Sequence, residues 1–90
     1  MHDANTNLVD ALRRYASHRR LSPRQVRILF EYMRGRNDKQ IALDLGCMES
    51  TVYEHWRRMA QKCGAQLKSG VVADFHAFVW SGPLEGLEGR

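Results

Sequence analysis

The apolar positions between residues 50 and 63 recur at a helical spacing. They follow one another at intervals of four, three, one and three residues, and they are Val52, Trp56, Met59, Ala60 and Cys63. Such spacing gathers them into one apolar stripe on an α-helix. The residues left on the opposite side are Tyr53, Glu54, Arg57, Arg58 and Gln61. The pattern therefore predicts an amphipathic helix over residues 50–63 whose outward face carries hydrogen-bonding groups.

Helix-capping residues predict two helices ahead of this one. The first of the two starts at Ser22-Pro23, with Ser22 as N-cap and Gln25 as its reciprocal partner in a capping box. It is expected to stop at Gly35, which can take the left-handed conformation after a last turn. A short helix then lies between Asn37 and Gly46, and it repeats the capping-box spacing.

A further helix is predicted at each end of the chain. Asn5 or Thr6 can cap a first helix that runs to about His18. Ser69 is expected to cap a last helix, and Ser81-Gly82-Pro83 to end it. With five helices and no strand pattern, the predicted fold class is all-α.

The predicted first helix has an apolar side that needs a partner. Its members are Leu8, Val9, Leu12, Tyr15 and Ala16. The helix after Ser22 is apolar on more than one side, and its additional stripe consists of Val26, Phe30 and Met33. The first helix is a ready cover for that stripe, which would enlarge an otherwise small core. Alternatively, both faces bind a protein partner or a second subunit.

Composition narrows the function classes. The chain has 14 basic and 10 acidic side chains in 90 residues, a balance that favours a polyanionic partner. No run approaches the roughly 20 apolar residues of a membrane span, so we expect a soluble, cytoplasmic protein. The two cysteines are too few for a disulfide scaffold. A metal site is not expected, because His55 and Cys63 lie eight residues apart on one helix and no CxxC pair exists.

Taken together, these elements resemble the LuxR-type (GerE-like) helix-turn-helix domain. The resemblance rests on Leu21-Ser22-Pro23-Arg24, Ile28-Leu29, Gly35, Lys39-Gln40-Ile41-Ala42, Leu45-Gly46, Thr51-Val52, His55 and Lys62-Cys63-Gly64. It implies a tetrahelical helix-turn-helix bundle, here with one additional N-terminal helix. It also implies that the helix over residues 50–63 reads double-stranded DNA in the major groove.

The resemblance assigns roles to individual residues. Base-reading positions fall on Tyr53, Glu54 and Arg57. Phosphate or groove-edge positions fall on Lys39, Thr51 and His55, with Arg58 beside them. His55 has an alternative role as a hydrogen-bonding group within the domain, and Arg58 and Lys62 as solvated charges. A homodimer through the last helix is implied as well, and the residues predicted for that contact are Val72, Phe75 and Val79. The alternative is that Phe75 and Phe78 simply pack inside the domain.

Several residues depart from the family pattern. Met48 stands where a Ser or Thr normally caps the reading helix, so either the cap is lost or the helix starts later. Asp38, Asp44 and Glu54 are acids near the expected path of the phosphates, where each lowers DNA affinity unless it has a particular task. For Glu54, accepting a hydrogen bond from cytosine is such a task. The alternative is a surface acid paired with Arg57 or Arg58.

The domain organisation predicted from the sequence has three parts. Residues 1–20 form an N-terminal helix and a basic linker, residues 21–80 the helix-turn-helix domain, and residues 81–90 a flexible tail. The favoured function is a small, free-standing, homodimeric transcription regulator that needs no cofactor. The alternative is an adaptor that binds another regulator or RNA polymerase through the same fold. An enzyme is not expected, since no nucleophile is paired with a base.

Overall fold

Five helices in sequence account for the fold. The computed structural model describes the backbone of residues 4–88 and the side chains of residues 7–80. The helices are α1 (Ala4–Arg19), α2 (Pro23–Met33), α3 (Asp38–Leu45), α4 (Glu49–Lys62) and α5 (Lys68–Glu88). No strand occurs in the described range, so the all-α prediction is confirmed. None of the helices in that range is long and apolar enough to cross a membrane.

The starts of α2 and α3 follow from their caps. Ser22 accepts a hydrogen bond from the Gln25 amide at 3.2 Å, and the Gln25 side chain accepts one from the Ser22 amide at 3.0 Å. Asn37 and Gln40 form the same reciprocal pair, both bonds being 2.9 Å. These bonds satisfy amides that have no partner inside a helix. Both predicted capping boxes are confirmed.

Helix α4 begins without a side-chain cap. Met48 has the extended backbone of an N-cap residue, with φ −85° and ψ 153°, but its side chain makes no cap hydrogen bond. The helix starts at Glu49. The sequence left two alternatives for Met48, a lost cap or a later start of the helix. The structure shows the lost cap, and the later start is wrong.

Both predicted ends of the last helix are wrong. Helix α5 starts at Lys68, because the carbonyl of Leu67 accepts the amides of Gly70 and Val71, and Ser69 therefore lies inside the first turn. The helix continues through Pro83 to Glu88. A proline inside a helix removes one amide donor and crowds the carbonyl four residues earlier, which costs about 3 kcal/mol, but it does not forbid the helix. The predicted tail residues 89 and 90 lie outside the described range.

The core lies where all five helices meet. Its fully buried side chains include Leu12 and Tyr15 from α1, and from the other helices Ile28, Leu29, Ile41, Val52, Met59 and Val71. Helix α1 packs on α2, as predicted, and also on α5. The ring of Tyr15 meets the rings of Phe75 and Phe78 edge-on, with centroids 5.1 and 5.5 Å apart. Helix α1 is thus an integral part of the core.

One predicted dimer contact belongs to this core. Phe75 is only 3% exposed and packs against Tyr15. It cannot meet a second subunit without leaving the core, so its assignment to a dimer surface is corrected. Burial of a phenylalanine side chain typically contributes about 1.5–3 kcal/mol to folding, which explains why α5 turns this residue inward.

Candidate nucleic-acid interface

Helix α4 presents a polar face to solvent. Val52, Trp56, Met59 and Ala60 are buried, as their spacing predicts. On the opposite side Thr51, Arg57 and Arg58 are exposed, and Tyr53 is 66% exposed. We call the outward group the reading face, and its members are Thr51, Tyr53, Glu54, Arg57 and Arg58. It combines hydroxyl, carboxylate and guanidinium groups over about two turns of helix.

Glu54 holds both arginines of the reading face. Arg57 donates to its carboxylate at 2.6 and 3.1 Å, and Arg58 donates at 3.2 Å. The hydrogen bonds from Arg57, followed by its charge and that of Arg58, lower the pKa of Glu54 to about 2. The pairs are exposed, so solvent screens them strongly. In the absence of DNA, Glu54 therefore pairs with Arg57 and Arg58, its i+3 and i+4 neighbours on the helix.

His55 lies at the edge of this face and is partly buried. Its Nδ1 is buried and has no hydrogen-bond partner among the described residues. Burial, and then the positive charges of Arg58 and Arg24, lower the pKa of His55. The lowered pKa favours the neutral imidazole, which has one N–H donor and one acceptor nitrogen.

Helix α3 contributes an outward pair near the reading face. Lys39 and Leu43 are four residues apart, so they share one side of the helix. Both are exposed, whereas Ile41 and Ala42 face the core. Lys39 makes no salt bridge within the described part of the chain. Its ammonium group is thus free to meet an anion.

A family comparison places this arrangement in context. Residues 19–73, more than half of the chain, match the model described as bacterial regulatory proteins, luxR family. The chain belongs to the LuxR family of bacterial regulatory proteins. Comparisons with curated proteins and with solved structures found no match. The resemblance inferred from the sequence is confirmed.

The LuxR-family segment covers the helix-turn-helix and stops within α5. It begins at the end of α1, so most of α1 lies outside the match. The segment includes Lys39 and every residue of the reading face. Members of this family are DNA-binding regulators, which agrees with a helix that turns polar side chains outward. The family assignment is silent on which bases each side chain contacts.

Asp38 has a structural task in this LuxR-family domain. Its Oδ1 accepts the indole N–H of Trp56 at 2.9 Å, and its Oδ2 accepts Lys68 at 3.2 Å. The Lys68 ammonium also lies over the rings of Tyr32 and Trp56, 5.1 and 5.2 Å from their centroids. One carboxylate thus ties α3 to α4 and α5. Its charge is compensated locally, and the expected repulsion of DNA by Asp38 is correspondingly reduced.

Asp44 is compensated in the same way. It forms an ion pair with Arg36, in the turn between α2 and α3. Arg36 also lies 3.5 Å from the buried carboxylate of Glu31, which is bound by Arg27 at 2.9 Å. The two contacts of Arg36 could not be inferred from helical spacing alone, because the turn brings Arg36 close to Asp44 and Glu31. Asp44 is therefore part of a charge network that fixes the turn.

The far end of α4 is anchored by Lys62, a role the sequence interpretation missed. Its ammonium donates to the carbonyl oxygen of Arg20 and to Oε1 of Gln25, both at 2.8 Å. Gln25 is 4% exposed and completes the capping box of α2 with the same oxygen. Lys62 is exposed, but it is more than a solvated charge, because it bonds two groups of the domain. It fixes the reading helix against the start of α2.

A second cluster joins α1 to the end of the reading helix. The hydroxyl of Tyr15 lies 3.0 Å from the sulfur of Cys63 and donates to Asp74 at 2.7 Å. Arg19 donates twice to Asp74, both bonds being 2.8 Å. These bonds from Arg19, and then Tyr15, lower the pKa of Asp74, whereas burial raises that of Cys63. Both cysteines are free. The cluster attaches α1 to the family domain.

Proposed function

We propose that this protein is a sequence-specific DNA-binding transcription regulator whose helix α4 enters the major groove. The observation that carries the proposal is the reading face, which lies at the surface of a helix that Asp38 and Lys62 bond to α3 and to the start of α2. Base edges in the major groove are distinguished by donor and acceptor patterns, which such side chains match. Membership of the LuxR family supports the same role.

The roles divide between bases and phosphates. Tyr53, Glu54 and Arg57 are proposed to contact base edges. Lys39, Thr51, His55 and Arg58 are proposed to contact the phosphates or the groove edge. Support comes from their exposure on one side of the domain and, for His55, from a neutral ring with one N–H donor. Arg57 has to leave Glu54, at least partly, to reach a guanine.

We further propose that the regulator acts as a homodimer through α5. Phe75 takes no part, because it is buried. Val72 and Val79 stay available, and Trp80 joins them at helical spacing with 61% of its surface exposed. A two-fold contact through this stripe would bring the same residues of both copies together. It would present two reading helices to an inverted-repeat site.

A salt titration of DNA binding tests the proposal. Binding to random-sequence duplex should weaken linearly on a logarithmic salt axis, because contacts to phosphates release counterions. Lys39→Ala should weaken all sequences about equally and reduce the slope by roughly one unit. The matched control is Arg14→Ala, which removes an exposed cation from α1, outside the proposed docking face, and should leave the salt slope nearly unchanged because it contacts no phosphate.

The outcomes separate two kinds of failure. If Lys39→Ala changes neither the affinity for DNA nor the salt slope, the docking face is misassigned. Flat or absent binding at low salt would instead favour a protein-binding adaptor. One observation supports that second candidate: residues 37–80 have five basic and five acidic side chains, hence no net charge. Leu43 and Met48 are exposed on the same segment and offer an apolar contact.

A further inference from the structure

Helices α1 and α2 enclose an apolar groove that lies outside the reading face. Its volume is about 240 Å³. The apolar floor consists of Val9, Leu12, Pro23, Val26 and Phe30. Leu12 is buried, whereas Val9, Val26 and Phe30 keep part of their surface open to solvent. Most of α1 lies outside the LuxR-family match, so the groove is a feature that this chain adds to the domain.

The same groove has a cationic rim. Arg13 of α1 and Arg27 of α2 line it. Arg13 makes no salt bridge or hydrogen bond with any residue whose side chain is described. The guanidinium of Arg27 bonds one oxygen of Glu31 at 2.9 Å, yet half of its side chain is exposed. Both arginines can therefore meet a carboxylate.

The rim lies in the most basic part of the molecule. Residues 7–36 contain eight arginines and only two acids, Asp10 and Glu31, which gives a net charge of +6. Residues 37–80 are neutral by the same count. Basic side chains concentrated beside an apolar groove repel one another, and they gain most from a partner that brings negative charge. Charge complementarity thus points to an acidic occupant.

We propose that this groove binds an acidic amphipathic helix of a partner protein. The helix would place apolar side chains on Val26 and Phe30 and direct carboxylates to Arg13 and Arg27. On α2 the lining residues 23, 26, 27 and 30 follow the i, i+3, i+4, i+7 pattern. They cover about 10 Å along the helix axis, which matches the span of the anchors that grooves accept from a bound helix.

Two other occupants fit less well. A nucleic acid would satisfy the arginines, but its backbone has no apolar surface to cover Val9 and Phe30. A second copy docked by two-fold symmetry would oppose the same basic half of the molecule, so Arg13 would face like charges. Opposed like charges disfavour association.

The probe is a fluorescently labelled, helix-forming peptide of about 18 residues, long enough to hold a helix. It has leucine at i, i+3, i+4 and i+7 and glutamate at the flanking positions. A second peptide has every leucine replaced by serine, and a third has every glutamate replaced by lysine. Anisotropy is measured with the whole chain and with two charge-reversal variants. These are Arg13→Glu and, as the matched control, Arg14→Glu, which is exposed on α1 but does not line the groove.

We expect only the leucine–glutamate peptide to bind the wild-type chain. Arg13→Glu should weaken that binding by about tenfold or more, and Arg14→Glu by less than about twofold. Amide chemical shifts should move at Val9, Val26 and Phe30 and stay unchanged at Tyr53 and Arg57. Circular dichroism checks that both variants keep the helical content of the wild type.

Four results would overturn the proposal. If the peptide with serine in place of every leucine binds as tightly as the leucine–glutamate peptide, the surface is a general polyanion site, and a nucleic acid is its better occupant. Equal losses in Arg13→Glu and Arg14→Glu would point the same way. A change in the sedimentation of the chain alone on Arg13→Glu would assign the groove to a second copy. If the acidic peptide does not bind at concentrations up to about 1 mM, its binding free energy is weaker than roughly −4 kcal/mol. The groove then does not bind a partner of this kind.

Discussion

Two acids near the DNA-facing side have different surroundings, and the difference decides what each can do. Asp38 is enclosed by the indole N–H of Trp56 and the ammonium of Lys68. Glu54 is exposed, and only the two reading-face arginines bind it. Removing Asp38 would leave the buried indole N–H without an acceptor, a loss that costs about 1–3 kcal/mol. Removing Glu54 leaves no buried group unsatisfied.

Glu54→Gln should therefore change DNA binding and leave folding intact. The substitution releases Arg57 and Arg58 and removes a charge that phosphates repel, so affinity for random duplex should rise. If Glu54 also accepts from cytosine, Glu54→Ala, which unlike the glutamine variant has no acceptor at this position, should lower the preference at one base pair of each half-site by roughly five- to a hundredfold. Binding to a full set of single-base operator variants measures both effects.

The matched control is Glu49→Gln. It removes the same charge from the first turn of the same helix without touching either arginine. An equal rise in random-duplex affinity in the two variants would show that net charge alone is responsible. An unchanged preference profile in Glu54→Ala would leave Glu54 as a partner of the arginines and no more.

At the scale of an element, the start of α4 lacks the side-chain cap that the starts of α2 and α3 have. The backbone of Met48 already has the angles of an N-cap residue, but its side chain makes no cap hydrogen bond. The residue is 71% exposed, so replacing its side chain disturbs no packing. Met48→Ser should therefore supply a missing acceptor without strain and raise the free energy of unfolding by about 1 kcal/mol. For a domain of this size the melting temperature should rise by roughly 4–8 °C.

Met48→Ala separates the cap from the loss of the methionine side chain. Alanine removes the same exposed group and cannot accept a hydrogen bond. Thermal melts of the three proteins, followed by circular dichroism, give the comparison. Equal melting temperatures for the serine and alanine variants would mean that the first turn of α4 gains nothing from a cap.

Helix boundaries were predictable wherever the signal is local. Ser22 with Gln25, and Asn37 with Gln40, specify their helix starts within four residues, and both starts are found where predicted. Leu67 has no such signature, so the start of α5 was misplaced. Pro83 raises the cost of a helix but does not forbid one, so its end was misplaced as well.

The contacts that position α4 depend on distance in space and were not predictable. Lys62 bonds Gln25 across 37 residues, Lys68 bonds Asp38 across 30, and Tyr15 bonds Asp74 across 59. Helical periodicity gives the side of a helix on which a residue lies, but it does not say which helix covers that side. The residues of the reading face could therefore be predicted from the sequence, whereas the contacts that position α4 could not.

For the whole molecule, charge and apolar surface are distributed unevenly. The net charge of +6 on residues 7–36 contrasts with a neutral segment over residues 37–80, where α3 and α4 carry the proposed DNA contacts. If the proposed DNA binding holds, long-range attraction to DNA is expected mainly from α1 and α2, and selectivity from α4. Among the described side chains of α5, which end at residue 80, the largest exposed apolar one is Trp80.

The surface of α5 leads to the prediction for assembly. Val79 is 41% exposed and Trp80 61%, next to the partly buried Val72, whereas Phe75 fills the core. A dimer through this stripe would bury apolar surface that folding leaves open. Val79→Glu should weaken the dimer at least about tenfold, because a carboxylate would be buried there without a partner. Sedimentation equilibrium over a range of concentrations measures the change.

Leu67→Glu is the matched control, since Leu67 is 69% exposed and precedes α5. It introduces the same charge at an apolar surface position outside the proposed contact, and its dimer affinity should stay within about twofold of the wild type. Phe75→Glu is unsuitable, because it would place a charge in the core and unfold the domain. A wild-type chain that stays monomeric at high concentration would exclude the α5 dimer. Equal weakening by Val79→Glu and Leu67→Glu would move the contact away from the Val72–Trp80 stripe and towards the α4–α5 connection.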